Sequence, residues 1–200
     1  TVVSVMEPAL IQAPQTDGKE DPVARMKRLV QESWRLIEQD IDTEGIKFFM
    51  RVFENAPGAL QVFSFKDVKD LEKSPALQAH AATVMGTVGT AVAGLGDITQ
   101  IVPVLKSLGG AHAKYGVQPE HFPILGEALL WTLEQQLGPL GLWTAEVKDA
   151  WTKTWEAVKS VMEPVLIEQL ARDTTQQIVQ ESWSMVEKDI DAHGIKFFMR

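Results

Sequence analysis

A stretch of 22 residues occurs twice in this chain. Residues 30–51 read VQESWRLIEQDIDTEGIKFFMR and residues 179–200 read VQESWSMVEKDIDAHGIKFFMR, identical at 16 positions at an offset of 149. A second echo, SVMEPALI at 4–11 and SVMEPVLI at 160–167, has an offset of 156. A period near 150 residues is a whole domain, far longer than the repeat of a solenoid. The copies have diverged, so a duplication made in cloning does not explain them. The sequence therefore reads as three pieces: residues 1–22 as the end of one unit plus a linker, 23–168 as a complete unit, and 169–200 as the start of the next, its first two helices. Thr1 is not a natural start and Arg200 follows FFM without a cap, so both ends are expected to be cuts in a longer chain.

The two offsets differ, so the connector from Gln12 to Arg28 is longer than the one after Ile167. It contains APQTDGKEDP, a Pro/Gly/acid stretch suited to an exposed flexible linker. The later connector, EQLARDTTQQ, lacks Pro and Gly. It is expected to carry one helix straight into the next as a stiff junction.

Composition narrows the classes. The 200 residues suffice for one good core, and 45% hydrophobic with 23% charged residues is a globular balance. A net charge of −8 without a Lys/Arg cluster excludes a nucleic-acid or anionic-membrane partner. The absence of cysteine rules out disulfides, thiolate metal sites and a cysteine nucleophile. No apolar run reaches the roughly 18 residues that cross a bilayer, and TVVSVMEPALIQAPQ lacks the basic start of a signal peptide. The compartment, cytoplasmic or extracellular, stays open.

Helical periodicity runs throughout. Val23–Gln39 places Met26, Leu29, Val30, Ser33, Trp34 and Ile37 on one stripe. Asp42 or Thr43 is expected to cap the next helix, whose apolar face is Ile46, Phe49, Met50 and Phe53. Pro57 opens a short turn-like helix, and Ser74-Pro75 is a strong helix start for Pro75–Leu95, ended by Gly94 and Gly96. Ile101–Lys114 and Pro119–Leu137 follow, the latter stopped by Gly138-Pro139. Thr144 caps the last helix, from Ala145 to Leu166 or beyond. No alternating stretch is bounded by hairpin turns, so the class is all-α.

Of the four histidines, His80, His112 and His121 fall in the complete unit. His80 sits beside the apolar stripe of Leu77, Thr83, Val84 and Thr87. His112 follows Leu105, Leu108 and Gly109 at helical spacing. Two helices facing across an apolar slot would each offer one imidazole, the usual protein ligand of haem iron. A single histidine on an apolar face is more often a core residue, and a pair on different helices shifts this only a little, so pattern alone leaves the haem reading open as the rarer one. No GxGxxG, P-loop or GxSxG motif is present. The acidic groups read as solvated helix faces and the six tryptophans as packing residues.

The span from about Val23 to Leu166 resembles the globin family, and within it the neuroglobin-like subgroup. ESW matches the tryptophan of the first globin helix. GIKFFMRVFENAPGALQVFSF (45–65) resembles the second and third helices, with the characteristic proline at Pro57 and the haem-stacking phenylalanine at Phe63. SPALQAHAATVM (74–85) resembles the distal helix start, and LKSLGGAHAKYGVQPEHF (105–122) the proximal segment. LGEALLWTLEQQLGP (125–139) is similar to the helix that follows. The resemblance implies an all-α globin fold of about eight helices, three-over-three, around haem b (iron protoporphyrin IX). It makes His112 the proximal iron ligand and His80 the distal histidine and possible sixth ligand. It places Phe49, Phe63, Val84, Leu108, Val117, Phe122 and Leu125 around the haem. Phe65 stands where many relatives carry tyrosine or another polar group, which bears on haem-propionate contacts. His121, and His193 of the following repeat with Glu44 as its counterpart, are read as non-functional.

The implied function is reversible binding of a diatomic gas (O2, CO or NO) for transport, storage or sensing, as part of a polymeric globin. The alternative is a haem-based redox enzyme: nitric oxide dioxygenase, nitrite reductase or peroxidase-like. The implied partners are neighbouring globin domains in the same chain. Domain-swapped self-association through the incomplete ends is a further possibility, with loose packing of residues 1–20 expected instead of ordered exchange.

Overall fold

The computed structural model describes residues 20–198, so the reading of residues 1–19 as a preceding unit's end and linker lies outside the described residues. Helix α1 (Pro22–Ile37) starts where Asp21 accepts a hydrogen bond from the Ala24 amide at 3.0 Å and Pro22 supplies a pre-set first-turn φ. Its buried face is Leu29, Val30, Ser33, Trp34 and Ile37, the stripe expected from periodicity, with Met26 partly covered beside it. A 3₁₀ turn at Glu38–Asp40 leads into α2 (Ile41–Asn55). The expected caps Asp42 and Thr43 lie inside the first turn of α2, because the chain re-enters helix directly from the 3₁₀ turn. The buried face of α2 also takes in Glu44, Phe48 and Val52.

A 3₁₀ segment begins at Pro57 and runs to Val62, and another spans Leu71–Lys73. Helix α3 (Pro75–Ala93) begins at Ser74, whose hydroxyl accepts from the Leu77 amide, and ends in a 3₁₀ turn at Gly94–Gly96. Helix α4 (Ile98–Ala113) starts three residues before the expected Ile101, since Asp97 caps it through the Thr99 amide. Helix α5 spans His121–Leu137 and ends in a 3₁₀ turn, Gly138–Leu140. Helix α6 (Ala145–Phe198) begins at Thr144, whose hydroxyl accepts from the Val147 amide, and runs for 54 residues. Among the described residues there are six α-helices and five 3₁₀ segments, and no strand. The expected count of about eight helices is met only by including 3₁₀ turns such as Pro57–Val62.

Helix α2 packs on α3 and α5; α1 packs on α3, α5 and α6. At the centre Trp34 and Trp151 lie 5.8 Å apart, and the Trp151 indole donates to Ser33 Oγ at 2.8 Å. A buried indole N–H needs such an acceptor. Arg51 lies over Trp131 at 5.2 Å and bonds Glu127 at 2.7 Å, tying α2 to α5. Glu44 is buried and pairs with Lys47 at 2.7 Å, a structural role.

Past the domain, α6 continues through EQLARDTTQQ without a break. Ile178, Val179 and Trp183 are 57%, 61% and 60% exposed there, with no covering element among the described residues. The repeat behaves differently in its two settings: EQDID at 38–42 contains a 3₁₀ turn, whereas EKDID at 187–191 stays α-helical. In the first setting α2 must turn to pack on α3 and α5; in the second no core asks for a turn.

Candidate functional site

Helices α3 and α4 follow one another in sequence and yet hardly touch; α4 rests almost wholly on α6. The two helices are therefore not packed on each other, and each carries one candidate histidine. His80 projects from the second turn of α3 into an aromatic group, with ring centroids 5.0 Å from Phe49 and 5.3 Å from Phe63. Phe63 also meets Phe49 at 6.0 Å and Phe53 at 5.4 Å edge-on, and stacks on Phe65 at 4.9 Å. Edge and offset contacts of this kind hold rings in fixed orientations. Burial holds the His80 imidazole below the usual histidine range, and the charge of His112 lowers it further. The two imidazoles are thus within electrostatic reach of each other.

His112 lies in the last turn of α4, where its Nδ1 is 2.7 Å from the Leu108 carbonyl. A carbonyl only accepts, so Nδ1 carries a proton, and in the neutral ring the lone pair is on Nε2. This bond orients the ring and fixes its tautomer, as partners do for metal-binding histidines. Among the described residues no three His, Cys, Asp or Glu side chains converge, so protein ligands alone do not form a site for a bare metal ion. Two imidazoles on separate helices suit a metal that brings further ligands of its own.

The remaining candidates divide by position. Phe49 is buried against the rings around His80, while Phe63 and Val84 are half-buried at the edge of the main core. Leu108 and His112 are half-buried on α4. Val117 and Phe122 pack with Ala113 and Leu166 in a separate small cluster under α4, and Leu125 on α5 packs on the main core. Half-burial of aliphatic side chains far apart in sequence is what the walls of an apolar slot show. A flat porphyrin fits these surroundings: apolar walls, an oriented imidazole on α4, and a second imidazole on α3.

Phe65, read as bearing on propionate contacts, turns inward: it is 5% exposed and stacked on Phe63. The alternation Phe63-Ser64-Phe65 carried that signal. Phe53 joins the same aromatic group and was legible only as an apolar-face residue. His121 accepts from the Gln118 amide at 3.1 Å and closes the turn before α5. The side chain of His193 lies outside the described residues. Five of the tryptophans pack in or against the protein; Trp183 is exposed. Among the described residues no helix is long and apolar enough to cross a membrane.

A family model described as Globin matches residues 46–162. A protein of Gossypium hirsutum named as an anaerobic nitrite reductase is 35% identical over 147 residues, covering 69% of this chain and 92% of that relative. With its helical architecture and these two matches, the chain belongs to the globin family.

Proposed function

We propose that residues 23–168 hold haem b between α3 and α4 and bind a diatomic gas reversibly, oxygen foremost. What supports this is one imidazole on each of α3 and α4, near enough for the charge of one to act on the other, with no third ligand among the described residues. The group supplies ferrous iron, which takes O2, CO or NO. His112 binds the iron through Nε2 while the Leu108 carbonyl holds Nδ1–H. His80, kept neutral by burial, either hydrogen-bonds the gas or takes the sixth position itself, the behaviour suggested by the likeness to the neuroglobin-like subgroup. In the second case gas affinity falls by the fraction of open sites. Phe63 packs on the ring, Phe49 and Val84 crowd the distal side, Leu108, Val117 and Phe122 close the proximal side, and Leu125 bounds the slot.

The test is the ferrous, gas-free spectrum of the haem-loaded full chain. Sharp low-spin bands that broaden in His80→Leu place His80 on iron. His112→Gly is expected to lose haem attachment and regain it with added imidazole. A protein that stays colourless, or a His112→Gly spectrum identical to the parent, sinks the proposal.

The name of the cotton relative favours a second reading, one-electron reduction of nitrite to nitric oxide and water with two protons and the iron's electron. Nitric oxide release under anaerobic reductant, weakened in His80→Leu, separates this from gas carriage.

The same proposal covers organisation: residues 169–200 begin a second globin unit and residues 1–22 end an earlier one. Support comes from the exposed face Ile178, Val179, Ser182 and Trp183, which repeats the buried face Leu29, Val30, Ser33 and Trp34 almost in kind. The covering partner is then a second globin core in the same polypeptide. Exchange with a second copy would have to displace α1, which its own short connection holds in place. Replacing residues 22–40 by the sequence of 171–189 is expected to give a folded, haem-binding chain. A graft that neither folds nor takes haem defeats this reading.

A further inference from the structure

We propose that Gly109 positions the proximal histidine by letting α4 seat directly on the backbone of α6. This rests on the reading of His112 as the iron ligand. Helix α6 is the one helix against which α4 packs extensively. At Gly109 a Cβ would stand 2.5 Å from the Met162 carbonyl oxygen and 3.2 Å from Met162 C and Cα. These are backbone atoms in the middle of a long helix, so they have no rotamer by which to withdraw. Any side chain at 109 must lift α4 off α6 by roughly 1 Å to restore ordinary contact.

His112 lies three residues further on, one turn along the same helix. Its bond to Leu108 is internal to α4 and moves with it. What changes is the place of the imidazole relative to α3 and His80, which stand on the rest of the core. Metal-binding groups must be held to within about 0.5 Å, so a shift of this size exceeds the tolerance. Balance between His80-bound and open iron is therefore set partly by a residue that touches neither.

The next residue is an internal control. A Cβ at Gly110 would meet only Val165 Cγ1, at 3.7 Å, which is ordinary contact. Both positions are helical, so replacing either glycine by alanine gains similar helix propensity. Only Gly109 carries the collision.

The experiment compares Gly109→Ala and Gly110→Ala in the haem-loaded full chain, with parallel measurement of the His112 ring signals by NMR in the haem-free protein. Gly109→Ala is expected to change the ratio of His80-bound to open ferrous iron at least threefold, to move the iron–histidine stretching band, and to shift the haem-free His112 ring signals. Gly110→Ala is expected to match the parent in all three. Should Gly109→Ala not fold, Val165→Leu wedges the same crossing with a side chain that can rotate, and shifts the spectrum in the same sense. Spectra unchanged in Gly109→Ala, or in Val165→Leu where that variant stands in, overturn the proposal; so does Gly110→Ala shifting as far as Gly109→Ala. If His112→Gly leaves iron ligation unaltered, the iron-ligand reading has failed, whatever Gly109 does.

Discussion

The pentapeptide VQESW occurs once in a core and once in water, which makes it a built-in measurement of tertiary burial. Trp34 is 2% exposed and lies 5.8 Å from Trp151. Trp183 is 60% exposed. Each indole donates to a glutamate one turn on at 2.8 Å, Glu38 or Glu187. Truncation to alanine loses that local bond in both places, so the difference between the two variants isolates the core. Removing a buried Trp costs about 3–5 kcal/mol in transfer and cavity terms. For a domain of this size that lowers Tm by roughly 6–20 °C. Trp183→Ala is expected to change stability by less than about 0.5 kcal/mol, since an exposed helix surface loses no packing and alanine favours helix. The assay is thermal unfolding followed by circular dichroism at low protein concentration. Equal losses in the two variants would refute the reasoning, because they would mean that the α6 extension is packed in solution or that Trp34 is not buried.

Ser33→Ala should cost about 1–3 kcal/mol, because it strands the Trp151 indole N–H, while Ser182→Ala, exposed, should be near neutral; a double cycle with Trp151→Phe that is additive would contradict this. Hydrogen bonds from Thr99, chiefly its hydroxyl and then its amide, with a further one from Gln100, hold the Asp97 carboxyl below its ordinary range. Its folded-state pKa is depressed, so its contribution is present above the ordinary carboxylate range and lost as pH falls through the folded value. The stability difference between the parent and Asp97→Asn, read by urea unfolding, should therefore be constant near neutrality and change only in acid.

Much of the site was legible because spacing along a helix is a local property. The stripe from Leu29 to Ile37, the Ser74 cap that places His80 in the second turn of α3, and the run from Leu108 to His112 all follow from 3.6-residue periodicity and capping chemistry. Resemblance then assigned roles that periodicity alone left open. The direction of Phe65 was not legible, because it depends on how the loop after Pro57 folds back on α2, a contact distant in sequence. Gly109 was read as one more small residue near a histidine, since its importance lies in Met162, far along the chain.

By itself the sequence determined that the chain is helical, where most helices begin and end, and that a 22-residue stretch recurs at a spacing of 149. It did not determine the state of the repeat. VQESW is core in α1 and solvent-facing in α6, and the EQDID turn of one copy is straight helix in the other. Local chemistry is nearly the same in both. The difference is the surface each helix meets, and burial and bending are decided by that surface, which only the assembled tertiary structure supplies.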